Sequence, residues 1–135
     1  MSSLTEELKR EHEIVVTNLA KVKQLGIASK EARKILFETK AALLAHLKKE
    51  DDRLYPPLIN ASHTDDDLGR IVESFIKDMQ EVSVIVLDFF SKYQEESTGM
   101  EFAKDYGYLI AKLGSRIHRE ENILYKRYDE LFGNS

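Results

Sequence analysis

The sequence predicts an all-α protein, an antiparallel up-down-up-down four-helix bundle in which residues 1–135 form one domain. Three observations predict it. Apolar residues recur at spacings of three and four in four successive stretches. No stretch alternates with period two, as a half-buried strand would. The stretches are separated by short polar breaks, which favour neighbouring helices over long crossovers. A length of 135 residues suits a single domain with a real core. At 42% apolar and 33% charged residues, the chain is too hydrophobic for disorder and too charged for a membrane bundle.

The elements follow in order. The first helix starts near Ser3, expected as its N-cap, with Glu6 and Glu7 in the first turn. Its stripe is Leu4, Leu8, His12, Val15, Leu19 and Val22, and Gly26 ends it. The second helix opens after Ser29 and carries Ala32, Leu36, Thr39, Leu43, His46, Glu50 and Leu54. Pro56-Pro57 is expected to stop or kink it. Asn60 to Asp66 is expected as a polar connection, with Thr64 or Asp65 capping the third helix. That helix carries Leu68, Val72, Phe75, Met79, Val82, Val86, Phe89 and Tyr93. Gln94 to Gly99 is expected as a turn. The fourth helix carries Phe102, Tyr106, Leu109, Leu113, Arg116, Glu120, Leu124, Arg127 and Leu131.

Several classes of function are excluded. With no cysteine there is no disulfide scaffold, no thiolate metal site and no thiol catalysis. The N-terminal residues are acidic where a signal peptide is basic, and no apolar run approaches the ~20 residues that span a bilayer. A cytoplasmic protein with no membrane partner is therefore expected. A net charge of −4 argues against a nucleic-acid partner. No phosphate-binding loop, dinucleotide fingerprint or nucleophile elbow is present, and no enzymatic activity is expected.

The informative feature is polar. His12, His46, Glu50, Arg116 and Glu120 all fall on the inward register of their helices. A polar residue on a core stripe must be paired or coordinated, because a lone buried charge is very costly. A shift of 70 residues sharpens the pattern. Leu43-x-x-His46-Leu47-x-Lys49-Glu50-Asp51-x-x-Leu54-Tyr55 overlays Leu113-x-x-Arg116-Ile117-x-Arg119-Glu120-Glu121-x-x-Leu124-Tyr125, and Glu11-His12 overlays Glu81-Val82. Each half is a helical hairpin with one position on its first helix and an i, i+4 pair on its second. The first half fills these positions with His12, His46 and Glu50; the second fills them with Val82, Arg116 and Glu120.

His46-x3-Glu50-x3-Leu54-Tyr55-Pro56 resembles the first signature of hemerythrin-like (HHE cation-binding) domains. Glu11-His12 sits where that family places its first-helix histidine, and Arg119-Glu120-Glu121-Asn122-x-Leu124-Tyr125 resembles its second signature. The resemblance covers nearly the whole chain. It implies a four-helix bundle around a di-iron centre that binds oxygen, senses oxygen or iron, or handles nitric oxide. Carried over by position, it implies His12, His46, Glu50 and Glu120 as metal ligands. Two positions depart from the pattern: Val82 and Arg116 stand where the family supplies histidines. Arginine stays cationic and cannot ligate a metal. His118 lies two residues from the lost position, about 200° round the helix, and is expected to point away.

These departures imply a decayed site in a non-enzymatic regulatory or interaction module with a protein partner. In it the Arg116 guanidinium supplies the charge of the missing metal to Glu50 and Glu120, and no cofactor is held. Two alternatives stand beside that reading. One is an iron-binding protein, mono- or di-iron, that binds or senses oxygen, nitric oxide or iron. The other is a transcription regulator like the bacterial anti-sigma bundles.

Overall fold

The computed structural model describes residues 3–26, 29–93 and 100–133. Among them the regular structure is entirely helical. Helix α1 spans Ser3–Leu25, α2 Lys30–Lys49, α3 Tyr55–Ser62, α4 Asp66–Lys92, α5 Met100–Arg119 and α6 Tyr125–Phe132. Two π turns join helices without breaking the rod: Glu50–Leu54 carries α2 into α3, and Glu120–Leu124 carries α5 into α6. The chain thus makes four long rods, α1, α2–α3, α4 and α5–α6.

Local chemistry sets the rod ends. Gly26 has φ 83°, a left-handed conformation that costs glycine nothing, and its N–H donates to the Val22 carbonyl at 2.9 Å. Ser29 takes an extended backbone and its hydroxyl accepts the Ala32 N–H at 3.2 Å, capping α2. Asp65 caps α4 in the same way, accepting from Leu68 N–H at 3.1 Å. Ser3 is the first residue inside α1 rather than its cap. Gln94 to Gly99, expected as a turn, lies outside the described residues.

Pro56-Pro57 does not stop the helical path. The π turn before α3 places the pair in the first turn of that helix, where a missing N–H is harmless. Asn60 to Ser62, expected in a connection, continue α3. Leu131, expected inside, is 45% exposed. The cause is the π turn at Glu120–Leu124: one extra residue rotates everything downstream, so a 3–4 count run straight through it lands on the wrong face. Arg127, on the same extrapolated stripe, sits near the surface and donates to Asp65 Oδ2 at 3.2 Å.

The core is two apolar clusters separated by a polar layer. One cluster gathers Val15 and Leu19 of α1, Leu43 of α2, Val82 and Val86 of α4, and Leu109 and Leu113 of α5. The other gathers Leu4 and Leu8 of α1, Leu54 and Leu58 below α2, Leu68 and Phe75 of α4, and Leu124 and Tyr125 below α5. On α1, His12 falls between Leu8 and Val15; on the second rod, His46 and Glu50 fall between Leu43 and Leu54. On the fourth rod, Arg116 and Glu120 fall between Leu113 and Leu124. All five polar side chains are buried. Tyr106 ties α5 to α1 through its hydroxyl, which donates to the Leu19 carbonyl at 2.6 Å.

Candidate metal centre

Four of the sequence-selected residues meet in the polar layer. His12, His46, Glu50 and Glu120 each offer one ligand atom, and these atoms lie within 4.8 Å of one another. His12 Nε2 is 3.2 Å from Glu120 Oε1, and His46 Nε2 is 3.6 Å from Glu50 Oε2. The two imidazole rings lie 4.6 Å apart. Spacing of i, i+4 puts His46 and Glu50 on one face of the second rod, as the sequence requires.

The histidines are aimed from outside. His12 Nδ1 pairs with Glu121 Oε2 at 2.8 Å, and His46 Nδ1 pairs with Glu11 Oε1 at 2.7 Å. A carboxylate on Nδ1 holds the proton there and turns Nε2 inward as a lone pair, the arrangement that orients metal-ligating histidines. Burial, with His12 adding to it, holds the His46 pKa below the ordinary histidine value against the opposing charge of Glu50. Glu11 is anchored in turn by Lys49, which also reaches Glu7. Burial pushes the Glu11 carboxyl up, but hydrogen bonds from Lys49 and His46 outweigh it and hold its pKa below the usual range.

Arg116 lies at the edge of this cluster. Its guanidinium donates to Asp78 Oδ2 at 2.8 Å, to the Phe75 carbonyl at 3.2 Å and to the Tyr55 hydroxyl at 2.9 Å. It reaches Glu120 Oε2 at only 3.4 Å, as an ion pair. The guanidinium therefore does not fork the two glutamates with hydrogen bonds as expected; those go to Asp78, Phe75 and Tyr55, while the charge of Glu120 still acts on it most strongly. Asp78 also accepts from Arg119 at 3.0 Å. His118 is exposed and pairs with Asn122, so it does not replace the lost ligand. Val82 is buried at the cluster and lines it with methyl groups.

The balance inside is short of positive charge. Glu50 and Glu120 are fully desolvated and adjacent. Burial first, and the neighbouring Glu120 charge second, push the Glu50 pKa well above the usual carboxylate value. Burial raises Glu120 as well. His46 Nε2, Glu50 Oε1 and Glu120 Oε2 are buried without a hydrogen-bond partner. Unpaired buried polar atoms are rare and call for a ligand or a role. Beside them is a cavity of about 20 Å³, lined by His12, His46, Val82, Arg116 and Glu120 among others but not by Glu50.

A family model for the hemerythrin HHE cation-binding domain matches residues 3–128. The chain belongs to that family. Comparison with curated proteins and with solved structures finds no match. The hemerythrin-like assignment agrees with the buried His/Glu cluster, and the residues present fit a cation: two inward Nε2 atoms and two carboxylates converge, with three of their atoms unsatisfied. Among the described residues no helix is long and apolar enough to cross a membrane.

Five residues of this centre escaped the sequence reading, and the 70-residue echo marks two of them. Tyr55 and Tyr125 occupy matching positions, each donating its backbone N–H to the carbonyl of a site glutamate five residues back. Tyr55 then meets Arg116, and the Tyr125 hydroxyl donates to Glu50 Oε2 at 2.8 Å while its ring stacks near His12. Glu11 and Glu121 sit beside a selected residue in the chain, and their i±1 placement hid them. Asp78 has no counterpart in the echo and no motif; packing alone reveals it.

Proposed function

We propose that this hemerythrin-like domain is a binding module for a single divalent cation of the ferrous-iron class, held by His12, His46, Glu50 and Glu120. The observation that carries this reading is the convergence of four buried donor atoms within 4.8 Å of one another, with His46 Nε2 and Glu50 Oε1 left without a hydrogen-bond partner. Four donor atoms this close together make the ligand set of one ion. Two imidazoles and two carboxylates suit ferrous iron, zinc or manganese. Bound there, iron would supply a redox-active Lewis acid. The chain's own part is to hold the donors: Glu11 and Glu121 fix the imidazole tautomers, Tyr125 fixes Glu50, and two apolar clusters keep water out.

The same geometry supports an antiparallel, up-down-up-down path for the rods. Read along the chain, α1 and α4 pass from the Leu4/Phe75 cluster to the Val15/Val82 cluster, while α2 and α5 pass the other way. Opposite directions on successive rods bring both hairpins' site positions to one level.

A decayed, metal-free regulator remains the second reading, favoured by the 3.4 Å approach of Arg116 to Glu120. Asp78 weighs against it only in part, because it shares the Arg116 hydrogen bonds while the guanidinium charge still acts on Glu120 and Glu50. Equilibrium dialysis against ferrous iron under argon separates the two. One ion per chain, lost in His46→Ala with Glu50→Ala, is expected; no retained ion establishes the metal-free reading.

A further inference from the structure

The four candidate ligands are at most 4% exposed, so a cation needs a way in. A second, open groove of about 310 Å³ lies on the outside between α1 and α5, lined by His12, Glu13, Val16, Thr17, Ile117 and Glu121. Two of those residues, His12 and Ile117, also line the inner cavity. The wall between groove and cluster is therefore one imidazole ring and one isoleucine side chain. His12 is 3% exposed, while Glu13, Val16 and Thr17 are open to solvent and Glu121 is half-buried. Carboxylates thus stand at the mouth and at the wall, and the inner cavity behind the wall is lined by His46 and Glu120 of the cluster.

We propose that this α1/α5 groove is the loading route for the cation, with Glu13 attracting it at the mouth, Glu121 receiving it, and the His12 ring acting as the gate. The proposal rests on the single-cation reading above. Glu121 holds the gate shut through its 2.8 Å contact with His12 Nδ1. A cation reaching Glu121 competes for that same oxygen. The carboxylate then turns to the ion and frees the ring to swing, and it recaptures Nδ1 when the ion has passed to Nε2. The gate opens in response to the cation itself, which keeps the buried donors dry in its absence. Anions and large cations are excluded by charge at the mouth and by the size of the inner cavity.

A route differs from a ligand in its kinetic signature: obstructing it slows uptake and release by the same factor and leaves the equilibrium constant alone. Cobalt(II), whose visible absorption reports binding to nitrogen and oxygen donors, serves as the probe in stopped-flow mixing, with release followed into EDTA. Val16→Trp fills the groove from a position that is 51% exposed. It should slow both rates about tenfold, within the one to three decades over which related association rates vary. Val84→Trp, at a position on α4 that is 57% exposed, is the control and should match the parent. Glu13→Lys tests the mouth without bulk: uptake should fall about tenfold at low salt and recover as salt is raised. Parent-like rates in both Val16→Trp and Glu13→Lys, with cobalt still bound, overturn the route and leave the single-cation reading intact. A parent protein that takes up no cobalt overturns both.

Discussion

Arg116 sits 2% exposed beside two glutamates and an aspartate, and its surroundings fix what its loss must do. Arg116→Ala strands Glu120 and Asp78 around an empty volume. Breaking one side of a buried ion pair costs ~3–5 kcal/mol, so chemical denaturation should show a loss of that size. Arg116→His removes the fixed charge and restores a neutral donor at the same register. It should raise the cation affinity measured by calorimetry, and adding Val82→His should raise it further. Equal affinity in parent and double variant would show that Arg116 does not limit the site. The outer carboxylates make a separate forecast: Glu11→Gln should weaken cation binding by about 10- to 100-fold, as loss of such orienting partners does, while leaving the helix content by circular dichroism unchanged. Asp78 sets the acid limit of the same network. Burial raises its carboxyl, but Arg116 and Arg119 outweigh that and hold the pKa below the ordinary aspartate value. A depressed folded value means its stabilisation is complete above the unfolded value of ~3.9 and is lost as pH falls through the folded one. Asp78→Asn should therefore flatten the stability-against-pH curve below about pH 4, measured by thermal melts.

At the scale of elements, much was legible and the misses share one cause. Ser29, Asp65 and Gly26 act as caps because their side chains or backbone freedom do locally what a helix end needs, and local chemistry is written in local sequence. The core stripes from Leu4 to Val22 and from Leu68 to Tyr93 follow because 3.6-residue periodicity holds through an unbroken helix. It fails where a π turn inserts one residue. Leu131 falls on the inward stripe only if the count runs straight through Glu120–Leu124, and Tyr55 and Tyr125 fall off it for the same reason. The prolines are not what produces these turns, since the second has Lys126-Arg127 where the first has Pro56-Pro57. What the two share is a buried glutamate followed four and five residues later by Leu-Tyr. Widening the turn brings both Leu and Tyr into the core, so burial of two adjacent large side chains stabilises it. Asp65→Ala tests the simpler kind of element chemistry. Losing an N-cap costs about 1 kcal/mol, and α4 should lose that much in denaturant melts without any change in cation binding.

For the whole molecule, the polar layer is a compromise between folding and binding. Two apolar clusters stabilise the rods on either side, and the layer between them carries desolvated carboxylates that an all-apolar core would not. The convergence of His12, His46, Glu50 and Glu120 was legible because three positions in each hairpin repeat at 70 residues. The partner of Arg116 was not, because Asp78 reaches it across the core from a helix with no echo of that residue. A cation that binds only the folded state should stabilise it by RT ln(1 + [L]/Kd), about 2.7 kcal/mol at a hundredfold excess over Kd, and raise the melting temperature accordingly. The most direct measurement is anomalous diffraction at the iron absorption edge from crystals of protein loaded anaerobically with ferrous iron. One anomalous peak per chain, between the Nε2 atoms of His12 and His46 and beside Glu50 and Glu120, is the expected result. Two peaks, or none within the cluster, would contradict a single-cation centre bounded by Arg116.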